Sequence, residues 1–168
     1  MVGAGHAGVE AAKIASKTGC KVSLVTMDKK SIGRMSCNPA IGGVAKGQIV
    51  REIDILGGLM AKTTDVSGLQ FKILNKSKGR SVWSPRAQVD KRVYEQTISK
   101  AILSDKNITI VEGEATSLMV KNNSVCGVVL RNEEKIFSNS VVITCGTFLS
   151  GVIHIGDRKI LAGRMGES

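Results

Sequence analysis

The strongest constraint on the fold lies in the first twelve residues, MVGAGHAGVEAA, which carry a G-x-G-x-x-G motif that runs into a helix-forming segment. Gly3 lets the chain turn sharply out of a strand, Gly5 leaves room for a pyrophosphate beside the backbone, and Gly8 lets the helix pack closely on a sheet. The predicted helix, residues 9–17, directs free N–H groups and its positive dipole end at the phosphates. The motif therefore predicts a dinucleotide site.

The segment after this helix supports the same interpretation. Gly19 is a typical helix C-cap, and residues 21–26, KVSLVT, read as a strand. Loop, helix and strand follow one another at the spacing of a dinucleotide-binding βαβ unit. Only Met1 and Val2 precede Gly3, so we expect the first strand of that unit to be truncated.

The rest of the chain alternates helices and strands. Up to residue 103 we predict a long glycine-bearing loop (27–47), a helix (48–60), a polar connection (61–68), a strand (70–74), a basic loop (76–86) and a helix (87–103). Beyond it we predict strands over 108–113, 115–120, 125–131 and 135–137, a buried strand over 141–146, and no clear periodicity after Ile155.

This order predicts the fold class. Alternating strands and helices indicate an α/β, Rossmann-like domain with a parallel sheet. The strands from 115 to 137, with Asn122-Asn123 as a hairpin turn, form an added antiparallel β-meander. By analogy at the level of the fold, that meander suits a flavoprotein better than a plain NAD dehydrogenase.

Composition limits the class of protein further. No apolar stretch is long enough to span a bilayer and no signal peptide is present, so we expect a cytoplasmic protein that does not enter the membrane. The four cysteines form no C-x-x-C, which argues against a zinc site, and we predict no metal. The net charge of +10 favours a polyanionic partner such as nucleic acid, although a solvated basic surface gives the same composition.

Several further motifs accompany the glycine loop. They are MSCNPAIGG (35–43), Lys46-Gly47, Glu52-Ile53-Asp54, Leu56-Gly57-Gly58, Leu74-Asn75, Pro85-Arg86-Ala87-Gln88 and Gly146-Thr147-Phe148-Leu149. With them the chain resembles, over its whole length, the N-terminal part of the MnmG (GidA) family. These proteins are the flavoprotein subunits of the complex that modifies the wobble uridine of tRNA. The resemblance implies an FAD-binding domain of the glutathione-reductase type over 1–168, as part of a longer protein.

The resemblance also implies an activity. With a GTPase of the MnmE family, the flavoprotein adds an aminomethyl or carboxymethylaminomethyl group to the wobble uridine of certain tRNAs. Methylenetetrahydrofolate donates the carbon, NADH reduces the flavin, and the full-length protein is expected to be a homodimer. The location would be the cytoplasm, or the mitochondrial matrix in a eukaryote. Further parts of the family's proteins would lie beyond Ser168, so we do not expect this chain alone to complete the reaction.

Candidate site residues follow from the motif and the resemblance together. Cys37 takes the family's nucleophile position, where a thiolate would add to the uracil ring; an inert buried thiol is the alternative. The cofactor-binding candidates are Gly3, Ala4, Gly5, His6, Ala7, Gly8, Thr26, Ala115 and Gly146. Thr26 ends the second strand where an acid usually binds the ribose, with Asp28 in reserve. His6, Ala115 and Gly146 have equally ordinary interpretations as loop and strand residues.

Other functions remain open from the sequence. Lys76, Lys78, Arg80 and Arg86 surround Trp83 and form a candidate tRNA contact, for which a solvated basic loop is the alternative. A different FAD-dependent oxidoreductase or a folate-dependent tRNA methyltransferase would share the glycine loop and the general fold. A non-catalytic truncated remnant, or a basic RNA-binding module without FAD, would fit the shortened first strand.

Overall fold

The computed structural model describes residues 1–35, 38–146, 149 and 151–161. Its helices are α1 (His6–Lys17), α2 (Lys46–Ile55), α3 (Met60–Ser67) and α4 (Lys91–Leu103). Its strands are β1 (Val22–Thr26), β2 (Ala40–Gly42), β3 (Gly68–Leu74), β4 (Ser84–Val89), β5 (Ile108–Glu112), β6 (Ala115–Lys121), β7 (Ser124–Leu130), β8 (Lys135–Phe137), β9 (Val152–Ile155) and β10 (Arg158–Leu161). No helix in the described part is long and apolar enough to cross a membrane.

A small parallel layer forms the Rossmann-like centre of the fold. Strands β1 and β5 pair in parallel, from Val22 opposite Ile108 to Thr26 opposite Glu112. Val2 bridges in parallel to Val25 on one side and to Ile143 on the other. Residues 1–2 therefore lie in the middle of this layer, and the chain turns from there into α1. The predicted α/β fold with a parallel sheet is confirmed.

The core lies between this layer and the helices. Leu24 of β1, Val9 and Ala12 of α1, and Ile98 and Ile102 of α4 are all buried in one apolar cluster. Burying such side chains contributes about 1.5–3 kcal/mol each. This packing fixes α1, and so the glycine loop at its N-terminus, against the sheet.

A polar contact ties α1 to the turn between α4 and β5. The Asp105 carboxylate accepts hydrogen bonds from Lys13 Nζ and Ser16 Oγ, both at 2.7 Å, and from the Asn107 amide at 3.0 Å. The hydrogen bond from Lys13, then those from Ser16 and Asn107, lower the pKa of Asp105 to about 2. The carboxylate therefore stays ionised at neutral pH and keeps this contact.

A second unit packs beside the parallel layer. Strands β2, β4 and β3 form an antiparallel sheet with β4 in the centre, where Ile41 lies opposite Ala87 and Ala87 opposite Phe71. Ile41 and Ala87 join the main apolar cluster together with Val50 of α2 and Met60 of α3. One face of this sheet is thus buried against helices.

The structure corrects the prediction for residues 48–68. Helix α2 ends at Ile55 rather than at residue 60, and 61–68 is not a polar connection but most of α3. Glu10 explains α3, because its carboxylate accepts the Leu59 amide at 3.0 Å and the Met60 amide at 2.6 Å. A side chain from α1 therefore caps α3, and the local sequence carries no sign of that cap.

Three other boundaries differ from the sequence prediction. The loop predicted over 27–47 contains a short 3-10 turn at Lys29–Ser31, the strand β2, and the start of α2. The basic loop predicted over 76–86 ends where β4 begins at Ser84. The helix predicted from residue 87 begins only at Lys91, because the Asp90 side chain caps it by accepting from the Val93 amide at 3.0 Å.

The C-terminal third confirms the β-meander. Strands β6, β7 and β8 pair in order, and Asn122 and Asn123 both have positive φ, as a tight hairpin turn requires. Residues 141–146 were predicted as a buried strand, which is wrong: Val142 and Ile143 are 41% and 56% exposed. Within the described residues, segment 141–146 forms a β-bridge only with Val2. No periodicity was expected after Ile155, yet β10 forms a hairpin with β9 there.

The Glu10 cap gives a testable prediction. Replacing Glu10 with Gln removes the charge from two hydrogen bonds, so we expect the free energy of unfolding to fall by about 1–2 kcal/mol. For a domain of this size that lowers the melting temperature by about 2–8 °C. Glu52→Gln, at an exposed position of α2, is the matched control and should change neither quantity. Equal melting temperatures for Glu10→Gln and the parent chain would contradict the cap.

Candidate functional site

The glycine loop makes two very close approaches. Gly3 has φ of +98°, and a Cβ there would lie 2.6 Å from the Thr144 carbonyl oxygen. A Cβ on Gly8 would overlap the Gly3 carbonyl oxygen and lie 2.7 Å from Thr144 Oγ1. Both contacts are too short for any side chain. Gly3 and Gly8 therefore have the turning and packing roles that their spacing in the sequence predicts.

Thr144 holds this loop from the neighbouring segment. Its hydroxyl lies 2.8 Å from the Val2 carbonyl oxygen and 3.0 Å from the Gly3 carbonyl oxygen, and it shares its hydrogen between them. Its backbone amide donates to the Val2 carbonyl at 2.8 Å, and the Gly3 amide donates to the Val25 carbonyl at 2.9 Å. The turn is therefore hydrogen-bonded on both sides, which fixes the direction in which α1 begins.

Gly5 differs from the other two glycines, because among the described residues, apart from its two chain neighbours, no atom lies within 4 Å of the Cβ that it lacks. It is the N-cap of α1, and the first bond of the helix runs from the Val9 amide to the Gly5 carbonyl at 3.0 Å. The amides of His6, Ala7 and Gly8 therefore precede the helical ladder and point out of its N-terminus. Open space beside a helix N-terminus suits an anionic group.

Ala4 precedes Gly5 in the glycine loop. It is 5% exposed, and its carbonyl accepts the Gly33 amide at 2.8 Å. The loop after β1 is thereby fastened to the glycine loop. Ala7, by contrast, is exposed on the first turn of α1. Two of the predicted cofactor contacts thus differ in kind, since Ala4 supports the loop and Ala7 borders its surface.

His6 is held in an apolar setting. Its ring meets the Tyr94 ring edge-on, with centroids 5.7 Å apart and planes at 75°. Burial, followed by the positive charge of Lys46, lowers the pKa of His6 to about 4. Among the described residues neither His6 Nε2 nor the buried Tyr94 hydroxyl has a hydrogen-bond partner. His6 is therefore neutral at pH 7, and its Nε2 is buried.

The remaining cofactor candidates are brought together in part. Thr26 ends β1, and its hydroxyl donates to the Asp28 carbonyl at 3.1 Å, while the Asp28 carboxylate is used to accept the Lys30 amide at 2.8 Å. The Gly113 amide donates to the Thr26 carbonyl at 2.8 Å, and Ala115, the start of β6, follows two residues after Gly113. The ribose role of Thr26 and the adenine role of Ala115 stay predictions.

Gly146 and Cys37 complete the candidate set. Gly146, two residues after Thr144, has φ of +65°. In the described part of the chain, apart from its neighbours, no atom lies within 4 Å of its missing Cβ. Cys37, the predicted nucleophile, lies outside the described residues. The chain on either side of it is anchored, because the Met35 amide donates to Glu95 Oε1 at 2.8 Å and the Val89 amide donates to the Pro39 carbonyl at 2.9 Å.

The basic loop has a more ordered form than the sequence suggested. The Arg80 guanidinium lies over the Trp83 ring at 5.8 Å, and Trp83 Nε1 donates to the Lys76 carbonyl at 3.2 Å. Lys76 borders a groove of about 570 Å³ between the second sheet, α2 and α3, together with Arg51 and Asp65. No set of acidic, histidine or cysteine side chains in the described residues could hold a metal ion.

Sequence reasoning missed three residues that shape this site. Thr144, Glu10 and Tyr94 each act on residues far away in the chain. Thr144 had one available signal, since it lies in the predicted strand 141–146, two residues before the candidate Gly146. Glu10 and Tyr94 sit within helices, and no local pattern marks them.

Comparison with known proteins identifies the family. The model of the family described as "Glucose inhibited division protein A" matches residues 1–168, the full length of the chain. The chain belongs to this family. In the family, the tRNA uridine 5-carboxymethylaminomethyl modification enzyme MnmG of Endomicrobium trichonymphae is 51% identical over 167 residues. That alignment covers 99% of this chain and 28% of the relative.

Solved structures agree with the family assignment. GidA of Aquifex aeolicus, in its form II crystal, superposes with a TM-score of 0.92 at 49% identity and covers 99% of this chain. The GidA-related protein of Thermus thermophilus has a TM-score of 0.68 at 18% identity, which shows the shared fold alone; that match covers 99% of this chain and 60% of the other. The chain spans about 28% of the length of the Aquifex protein.

The glycine geometry gives a contrast between two substitutions. Gly8→Ala places a methyl group on the Gly3 carbonyl, so we expect it to lower the free energy of unfolding by about 3 kcal/mol or more. Gly5→Ala enters open space at an allowed backbone conformation and should stay within about 1 kcal/mol of the parent. Chemical denaturation of both variants measures the difference. Similar losses in the two would contradict the close packing at Gly8.

The low pKa of His6 predicts a dependence of stability on pH. The pKa of this histidine is about 4 in the folded state and 6.5 in the unfolded state. Between these values the unfolded state binds a proton that the folded state does not, so the fold is fully stable above pH 6.5 and loses stability as the pH falls toward 4. The loss amounts to at most about 3 kcal/mol. Denaturation of the parent and His6→Gln between about pH 8 and pH 4.5 tests it. We expect a smaller decline in the variant, and parallel declines would contradict a buried neutral His6.

Proposed function

We propose that this chain is the FAD-binding part of a flavoprotein that modifies the wobble uridine of tRNA. Its family membership supports this, since relatives of 51% and 50% identity carry the name tRNA uridine 5-carboxymethylaminomethyl modification enzyme. The observation that carries the proposal is the glycine loop, in which Gly3 and Gly8 are closed by contacts and Gly5 is open at the N-terminus of α1.

The residues around Gly5 fit FAD. The open space and the amides of His6, Ala7 and Gly8 suit a pyrophosphate, which carries negative charge and accepts hydrogen bonds. Ala4 and Gly3 would support the loop beneath it. Thr26 would meet the ribose, the backbone at Ala115 the adenine, and Gly146 the cofactor again from the strand end beside Thr144. When bound, FAD would supply the redox chemistry by accepting and donating a hydride.

His6 would serve this site as a neutral group. At pH 7 its ring carries no charge, so it adds no positive charge to the phosphate site. The edge-on contact with the Tyr94 ring holds its ring in place, and its Nε2 is buried without a hydrogen-bond partner among the described residues. The positive charge near the phosphates would come instead from the helix N-terminus and from Lys46.

Cys37 would act on the uracil ring. Its thiolate would add to the carbon next to the one to be substituted, which makes that neighbouring carbon nucleophilic toward the one-carbon unit. Loss of the proton from the substituted carbon and departure of the thiolate would restore the ring. The family implies methylenetetrahydrofolate as carbon donor and NADH as reductant. A GTPase partner of the MnmE family, a homodimeric full-length protein and a cytoplasmic location complete the proposal.

Two other functions compete with this one. A different FAD-dependent oxidoreductase or a folate-dependent tRNA methyltransferase would use the same glycine loop, but 51% identity to an MnmG protein favours the proposed function. A non-catalytic module that binds RNA without FAD would keep the basic surface and lose the open Gly5 site. The flavin content of the purified chain separates this last function from the proposed one.

The flavin experiment uses the chain as it stands. Purified protein is denatured, and released FAD is quantified against protein. We expect near-stoichiometric FAD from the parent chain and at least about tenfold less from Gly5→Val, because the isopropyl group would fill the space of the pyrophosphate. Gln96→Val adds a similar group at an exposed position of α4 and should keep the parent's FAD. Absence of FAD from the parent, or unchanged FAD in Gly5→Val, would contradict the proposal.

The role of Cys37 is tested in a full-length relative at the matching position. Cys37→Ser should keep FAD, because the thiol makes no part of the proposed cofactor site, and should lose modification of tRNA. Mass spectrometry of tRNA nucleosides measures the product. Retained modification would assign Cys37 to structure rather than to catalysis.

A further inference from the structure

The sheet formed by β2, β4 and β3 has two faces of opposite character. Residues directly opposite on antiparallel neighbours point to the same face. One face carries Ile41 and Ala87 and is buried against α2 and α3. The other face, which we call the donor face, carries Gln70, Lys72, Arg86 and Gln88. All four of these side chains can donate hydrogen bonds. The same face also carries Ala40, Leu74 and Ser84, and none of its residues has a negative charge.

The donor face brings like charges together. Lys72 lies directly opposite Arg86, and Gln70 lies directly opposite Gln88. Like charges at directly opposite positions destabilise a sheet. Within the described part of the chain, no carboxylate lies at ion-pair distance from Lys72 or Arg86, and none of the four side chains has a hydrogen-bond partner. An anionic ligand would remove this repulsion.

The donor face also connects to the glycine loop through charge. Burial and then the charge of Arg86 lower the pKa of Lys46, and the charge of Lys46 in turn lowers the pKa of His6. Positive charge thus runs from the start of α1, through Lys46 at the start of α2, to Arg86 in β4. The chain that follows Cys37 enters β2 beside β4, since the Pro39 carbonyl accepts the Val89 amide. The face therefore adjoins both segments to which the proposed function assigns chemistry.

We propose that the donor face binds the sugar–phosphate backbone of an RNA strand and positions that strand next to the flavin site. Lysine and arginine are the usual partners of phosphate oxygens, and glutamine amides bind sugar hydroxyls and base edges. The nearby Trp83, 37% exposed, offers an aromatic surface on which an unstacked base can lie. This inference rests on the proposed function, because it takes tRNA as the polyanion.

An RNA-binding experiment tests the face directly. A fluorescent anticodon stem-loop RNA with uridine at the wobble position is titrated with the chain, and anisotropy is followed at several salt concentrations. Lys72→Gln/Arg86→Gln should weaken binding about tenfold. It should also reduce the slope of log affinity against log salt by about 1.4, which corresponds to two phosphate contacts on a single strand.

A matched control distinguishes the effect of this face on RNA affinity from the effect of the net charge of the chain. Lys121→Gln/Lys135→Gln removes the same two charges from the sheet of β6, β7 and β8, and its affinity should stay within about twofold of the parent. Equal losses in the two double variants would overturn the proposal, as would an unchanged salt slope or a parent chain that does not bind the RNA.

A second measurement excludes unfolding as the cause. Because Lys72→Gln relieves repulsion with Arg86, its melting temperature should equal or exceed that of the parent while its RNA affinity falls. A lower melting temperature together with weaker binding would contradict the account of the face. FAD content is measured in the same samples. If the chain holds no FAD but the Lys72 and Arg86 variants still weaken RNA binding, the flavin role alone is overturned. If these variants keep FAD and bind RNA as tightly as the parent, this inference alone is overturned.

Discussion

The close approach of Gly8 to the Gly3 carbonyl, with the Thr144 hydroxyl against both, is the contact on which the rest of the structure depends. It fixes α1 at a distance from the parallel layer that no residue with a side chain would allow. Because α1 is held there, Glu10 on its flank reaches the amides of Leu59 and Met60 and begins α3. The second sheet then packs on α2 and α3. The position of the surface on which we place the RNA strand therefore depends on a backbone contact in the glycine loop.

The same contact gives the glycine loop two different surfaces. Toward the sheet the loop is closed by hydrogen bonds and by contacts shorter than a side chain needs. Away from it, at Gly5, the loop is open beside the amides of the first turn of α1. Such a loop does not need to rearrange to accept an anion, and a rigid site loses less conformational entropy on binding. Because His6 is kept neutral by burial and by the charge of Lys46, the local positive potential comes from the helix N-terminus and from Lys46.

Elements whose signals are local could be predicted from the sequence. The glycine motif, β1, β5 and the Asn122-Asn123 hairpin depend on neighbouring residues, and all appear where the pattern placed them. Helix α3 could not be predicted, because its cap comes from Glu10, 50 residues before Met60. The apolar run at 141–146 predicted a buried strand. Burial of this run, however, depends on which other elements pack against it, and a local sequence pattern carries no information about them. Thr144 was missed for a related reason, since its partners lie 142 and 141 residues away.

The measurement that tests this account most directly is a crystal structure of the chain grown with FAD. We expect the pyrophosphate to lie over Gly5, within hydrogen-bond distance of the amides at the start of α1, with the glycine loop and Thr144 displaced by less than about 1 Å. A pyrophosphate bound elsewhere, or a glycine loop that must open from Thr144 to admit it, would contradict the claim that these contacts build the site in advance.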